Sequence, residues 1–258
     1  MLDALVICAV GCLAGAINAL AGGGTLLTFP ALVWLGRDAV MANATNALAL
    51  WPGSLAGAYA LRNEALQERK LLATLAPVSA LGGLLGGYAL LVTPARVFDF
   101  LVPLLVGLAT LVLGLRKRLA SALPLLAAGA TWSNARILGL CGVQFLVSVY
   151  GGYFGAAMGI LMLASLGLFG LSDIHVRNGV KNALGTLING AAGVYFVAKG
   201  AINYLDALLL GASAVLGGYA GARLARRFAS HKVERVVLIF GSIATLLLAY
   251  RALSQLRP

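Results

Sequence analysis

The sequence predicts an all-α polytopic membrane protein made of two inverted repeats, each a broken helix hairpin followed by three transmembrane helices. Three observations predict it. The composition is too apolar to face water, the apolar runs have spanning length, and their pattern returns after about 136 positions. Of 258 residues, 61% are hydrophobic and 10% charged, with a mean hydropathy of +0.95. Soluble domains carry about a quarter charged residues. The runs are continuous and roughly 18 to 23 residues long, as helical spans require, and the alternation of an outer-membrane barrel is absent.

The elements follow in order. A broken region covers residues 4–35 and is interrupted at Gly22–Gly24; spans follow at 39–61, 71–92 and 97–115, completing a first repeat over residues 1–118. A Pro-containing connector, 119–136, leads into the second repeat, 137–258. There a broken region at 137–171 is interrupted around "GGYFGAAMG" (151–159), and spans follow at 180–198, 204–224 and 233–250. Shifted by about 136 positions, Gly15 falls on Gly151, "NAL" (46–48) on "NAL" (182–184), and "AGAY" (56–59) on "AGVY" (192–195). Paired interruptions in corresponding halves mark many secondary transporters.

Charge sets the relation of the halves. If each broken region enters and leaves on one side, each half makes three crossings and the second is inverted. Five of the 19 basic residues (Arg37, Arg96, Lys199, Arg251, Arg257) then share one side and the rest the other. That split follows the positive-inside rule and places both termini outside. A ninth crossing through the connector, with the N-terminus inside, gives nearly the same bias; the connector's shortness and its proline favour hairpins. Both versions invert the second half.

The formal net charge of +11 belongs to loops that meet lipid head groups, so the bilayer is an expected partner and nucleic acid is not. The start, "MLDALVICAV", has no basic n-region, and no cleaved signal peptide is expected. Cys8, Cys12 and Cys141 lie in apolar runs without metal-ligand spacing and read as small buried residues. No cofactor and no metal are expected.

Irregular backbone at membrane depth is tolerated only where protein or a water-filled cavity satisfies its polar groups. The glycine breaks therefore point to a site. Gly22, Gly23 and Gly24, followed by Thr25, open a short helix whose free N–H groups and positive end suit an anion; the break from Gly155 to Gly159 offers a second cradle. Pairs such as Gly53/Gly57, Gly82/Gly86, Gly83/Gly87 and Gly217/Gly221 read instead as close helix packing. The spans after the breaks hold Asn43, Thr45, Asn46 and Ser54 in one half, and Asn178, Lys181, Asn182, Thr186 and Asn189 in the other. Asn46 and Asn182 are repeat mates. Lys181 lies more than a turn past Arg177, where an ammonium needs a partner, a cavity, or a snorkelling route to the interface. All eight acids fall in loops or near span ends, so no carboxylate is offered to a cation, and no sodium site is legible.

These segments resemble a known family. "GGGTLLTFPAL", "ANATNALAL" and the second copy before "GVKNALG" are similar to the TauE/SafE sulfite and sulfonate exporter family over nearly the whole chain. The resemblance implies a multi-pass transporter of the bacterial inner membrane for small sulfur oxyanions. The second copy has fewer consecutive glycines, so the two cradles need not be equivalent.

The expectation is a secondary transporter of a small oxyanion, sulfite or an organosulfonate, working by alternating access. Its binding residues are Gly22, Gly23, Gly24, Thr25, Asn46, Ser54, Gly155, Gly159, Lys181, Asn182 and Asn189. The alternatives are an anion channel or a carrier of a different small carboxylate or sulfur anion. An embedded enzyme is not expected, because His175 and His231 sit near loops with no triad or metal spacing. The substrate's identity and the direction of transport stay open, as does the choice between a monomer and a homodimer.

Overall fold

The computed structural model describes residues 2–20, 23–127, 133–224 and 230–254, with side chains at all of these except 18–20, 116–127, 219–224, 230–236 and 251. Among the described residues there are eleven helices and no strand. They are α1 (Leu2–Leu20), α2 (Thr25–Trp34), α3 (Ala39–Ala60), α4 (Arg62–Gln67), α5 (Arg69–Val92) and α6 (Ala95–Ala127). The rest are α7 (Asn134–Tyr153), α8 (Met158–Leu168), α9 (Ile174–Ala198), α10 (Tyr204–Leu224) and α11 (Ser230–Ser254). Among the described residues, four segments are long and apolar enough to cross a membrane: Arg69–Val92, Ala95–Leu115, Asn134–Tyr153 and Val237–Ser254.

α3 and α9 have 22 and 25 residues, long enough to span, yet their asparagines keep them less apolar than those four. They form the centre. Each starts on an aspartate N-cap: Asp38 accepts from the N–H groups of Val40 and Met41, Asp173 from those of His175 and Val176, which satisfies donors that the first turn leaves open. The two helices run antiparallel against each other. Gly193 of α9 faces Leu48, the Trp51 indole donates to the Thr186 carbonyl at 3.0 Å, and Gly57 faces Asn182.

Around this pair, α1 packs on α10 and α7 on α5; α10 also packs on α3, and α5 on α9. α6 pairs with α11, α2 touches α11, and α8 touches α6. Glycines set the closest approaches. On α5, Gly82 and Gly86 lie against Ser148 and Val149 of α7, while Gly83 and Gly87 lie against Ile188 and Ala192 of α9. Gly217 of α10 sits on the Cys12 carbonyl of α1. Gly53 differs from the packing role its spacing suggested: a Cβ there would meet nothing within 4 Å.

The ends of the broken pairs are tied. Arg37, just after α2, is 3.4 Å from Asp3 in α1 and 2.7 Å from Asp206 in α10. α2 therefore ends where α1 begins. Arg136 at the start of α7 donates to the Leu168 carbonyl of α8 at 3.5 Å, so α7 and α8 are antiparallel too. These open ends lie at opposite ends of α3: Asp38 adjoins Arg37, while at the far end the Leu61 carbonyl and Ala65 meet Gly179 of α9.

One boundary moved. α6 continues to Ala127, past the 115 at which its apolar run stops and into the connector. Residues 116–127 contain four leucines and three alanines along with arginine and lysine, all strong helix formers, so a hydropathy edge is no helix end.

Candidate functional site

The first break separates α1 from α2. Gly22 lies outside the described residues; Gly23 and Gly24 are buried and Thr25 half-buried. The first turn of α2 closes on this break, with the Leu26 N–H bonded to the Gly23 carbonyl and the Leu27 and Thr28 N–H groups to Gly24, each at 3.0 Å. The Thr28 hydroxyl lies between the Gly24 carbonyl, 3.1 Å away, and Oδ1 of Asn46 in α3. Asn46 is thereby buried against the start of α2.

The second break runs from Tyr153 to Met158. Gly155 (φ +75°) and Ala157 (φ +59°) are both left-handed. Glycine adopts that geometry freely; for Ala157 it costs about 1–2 kcal/mol. Neighbouring groups hold the turn. The Phe154 and Gly155 N–H groups share the Tyr150 carbonyl, and the Tyr150 hydroxyl donates to the Ala156 carbonyl at 2.7 Å. From α3, Nδ2 of Asn43 donates to the Tyr153 carbonyl at 2.8 Å.

α8 then starts with its positive end inside the protein. The Met158 N–H bonds Gly155, and those of Ile160 and Leu161 bond Ala157. The Gly159 N–H has no acceptor among the described residues. Lys181 of α9 lies directly over Gly159: a Cβ at that glycine would stand 3.4 Å from the lysine Cδ. No carboxylate pairs with Lys181 among the described residues. The Lys181 side chain thus packs beside the open start of α8.

The breaks approach each other. The Phe29 ring of α2 stands edge-on to Phe154, with centroids 5.2 Å apart. One turn of α3 reaches three elements: Asn43 the end of α7, Asn46 the start of α2, and Thr45 Oγ1 the Asn203 N–H before α10, at 3.0 Å.

Of the residues singled out in the sequence, Gly159 meets Lys181, and Asn46 meets the turn begun by Gly24 and Thr25. Gly155 supplies the left-handed turn. Ser54 donates to Leu50 of its own helix at 3.4 Å, Asn182 faces Gly57 rather than α8, and half-buried Asn189 makes no described side-chain bond. Sequence reasoning missed the roles of Asn43 and Thr28. Its spacing of three from Asn46 puts Asn43 on the same helix face, a signal that was present. A second polar cluster also escaped it: Gln144 Nε2 of α7 lies 2.9 Å from Ser79 Oγ, 3.2 Å from Ser148 Oγ and 3.6 Å from Met162 Sδ.

Outside the spans, the hydrogen bond to Asp206 pushes the pKa of Arg37 up. The N–H groups of Val176 and His175 hold the Asp173 carboxyl below its ordinary value.

The whole chain can be placed by kinship. The family model described as Sulfite exporter TauE/SafE matches residues 7–248. The chain belongs to the TauE/SafE family. Among its relatives, probable membrane transporter protein ORF9 of Sinorhizobium sp. is 28% identical over 94% of this chain and 89% of its own length. A probable membrane transporter protein of Haemophilus influenzae is 29% identical, covering 96% and 94%. The probable membrane transporter protein YfcA of Escherichia coli K12 is 29% identical, covering 95% and 89%. No solved structure matches. This TauE/SafE protein is therefore a multi-pass membrane transporter rather than an enzyme.

Proposed function

We propose that this TauE/SafE protein is a secondary transporter of a small oxyanion, sulfite or an organosulfonate, that binds the anion at broken-helix ends and works by alternating access. The observation that carries the reading is Lys181 over Gly159. A positive side chain packs beside the positive end of α8 with no carboxylate among the described residues to offset them, and an anion completes that place electrostatically. The Thr25 N–H, at the start of α2, likewise has no described acceptor, so α2 supplies a second, less basic cradle. The family's own description names sulfite, a small anion whose oxygens suit such donors.

Inverted duplication supports the rocking mechanism. Exchange α1 with α7, α3 with α9, α5 with α10 and α6 with α11. The packing of α1 on α10 then becomes that of α7 on α5, and α3 on α10 becomes α9 on α5. The broken pairs open at opposite ends of α3, as re-entrant hairpins of inverted halves would. In this reading the protein sits in a bacterial inner membrane, with the basic side cytoplasmic and both termini outside.

Flux of radiolabelled sulfite into proteoliposomes tests the site. Lys181→Gln is expected to lower the rate at least about tenfold, roughly 1.4 kcal/mol. Gly159→Val, which crowds the lysine, should do the same. Unchanged flux in both variants would remove this place from the path, and unitary currents in a planar bilayer would make the protein a channel.

A further inference from the structure

The end of α7 poses a problem of its own. Asn43 is 2% exposed, and its Oδ1 is buried with no hydrogen-bond partner. The amide cannot simply be turned over. Its Nδ2 donates to the Tyr153 carbonyl at 2.8 Å, and a flip would set two acceptor oxygens against each other. Oδ1 is thus a fixed acceptor at the break, denied any donor. Leaving such a group unpaired in a dry interior is costly.

More acceptors lie at the same helix end. Gly151 and Gly152 are buried in the last turn of α7, and no N–H among the described residues reaches either carbonyl, because Phe154 and Gly155 both turn back to Tyr150. Helix C-termini carry negative partial charge. The surrounding rings, Phe154 with Phe29 and Tyr153 with Phe98, bring no donor to the vacant oxygens: the Tyr150 hydroxyl is committed to Ala156, and that of Tyr153 points to Thr93. The Ala156 and Ala157 N–H groups of the same turn also lack an acceptor among the described residues but do not reach these oxygens, and a cation would satisfy the oxygens.

We propose that the broken end of α7 binds a monovalent alkali cation through Asn43 Oδ1 and the free carbonyls of Gly151 and Gly152. Every ligand is a neutral oxygen. That disfavours calcium and magnesium, which draw on carboxylates, and peptide and amide oxygens do not hold a proton at neutral pH. In broken-helix transporters, unwound carbonyls and half-helix C-termini are suited to such ions. The coupling part of the proposal rests on the anion reading above: a cation at the end of α7 and an anion at the start of α8 lie across one short turn, and each raises the other's affinity by the same factor.

Thermal unfolding of the purified protein in detergent, at constant ionic strength in sodium, potassium or choline chloride and without sulfite, tests the cation site alone. Sodium or potassium is expected to raise the Tm by about 2–4 °C over choline. Asn43→Leu should abolish that difference, and Asn43→Asp should enlarge it. Comparing salts within each protein separates the response from any lowered baseline. Equal Tm values in all three salts for the wild type overturn the site, as does an alkali response that persists undiminished in Asn43→Leu. Adding sulfite then reads the coupling: its binding midpoint should tighten about tenfold in the favoured alkali salt, and an unchanged midpoint overturns the coupling. Failure of sulfite to stabilise in any salt, with the alkali response intact, counts against the anion reading and leaves the cation site standing.

Discussion

Asn43 of α3 reaches across 110 residues of sequence to cap the Tyr153 carbonyl at the broken end of α7, at 2.8 Å. The bond explains how a helix can stop inside a membrane protein. A backbone carbonyl there has no water to turn to, and a side chain from the other half of the chain satisfies it. Asn43→Ala strands that carbonyl. It is expected to cost about 1–3 kcal/mol of stability, read as a lower Tm in choline buffer, where no alkali ion complicates the comparison. An unchanged Tm would mean the carbonyl finds another donor.

Lys181 and Asn182 are chain neighbours with different surroundings, and transport should separate them. Lys181 lies over Gly159 at the start of α8, whereas Asn182 faces Gly57 of α3. Asn182→Ala is expected to keep the sulfite rate within about twofold, while Lys181→Gln loses at least about tenfold. Equal losses in the two variants would show that the α3–α9 contact, and not the α8 start, governs flux.

How far the sequence foretold this arrangement depended on the kind of signal. A break before Thr25 and one within 151–159 were legible because glycines interrupt apolar periodicity, a local property. Asn46 and Asn182 read in the sequence as repeat mates, yet their surroundings differ: one is held by Thr28 and the other stands against Gly57. Which face of a helix meets which neighbour is decided by packing across the whole chain. The partner of Asn43 was invisible for that reason, and so was the left-handed Ala157, since alanine carries no mark of that geometry.

Two glycines that looked alike in sequence should part on mutation. A Cβ at Gly217 would lie 1.8 Å from the Cys12 carbonyl, while one at Gly53 meets nothing within 4 Å. Gly217→Ala must push α10 off α1 and is expected to cost about 1–3 kcal/mol or more. Gly53→Ala should leave the Tm unchanged or raise it, since alanine is the better helix former by about 0.5–1 kcal/mol. Thermal unfolding of both variants in one detergent decides it, and equal shifts would refute the close approach of α10 to α1.

The Arg37–Asp206 pair fastens the exit of α2 to the start of α10. The Asp206 side chain is 3% exposed and that of Arg37 26%, so the carboxylate depends on the arginine more than the reverse. Arg37→Ala leaves a buried charge alone and is expected to cost up to about 3 kcal/mol. Asp206→Asn, which removes that charge, should cost less. The order of the two Tm values is the check: a larger loss for Asp206→Asn would mean that the hydrogen-bond geometry at Asp206, and not its buried charge, dominates.

Asp173 gives a pH signature at the opposite end of the protein. Its carboxylate accepts the His175 and Val176 N–H groups at the start of α9, which lowers its pKa from an ordinary 3.8. With the folded value below the unfolded one, the unfolded chain binds more protons in acid, so this contribution to stability is complete above the unfolded pKa and is lost as pH falls through the folded one. Asp173→Asn keeps an N-capping acceptor that does not titrate. The Tm difference, wild type minus variant, is therefore expected to be largest near pH 6 and to shrink as the pH is lowered from about 5 to 3, while the remaining carboxylates titrate alike in both proteins and cancel. A difference that stays flat across that range would show that the ionised cap contributes nothing to holding α9.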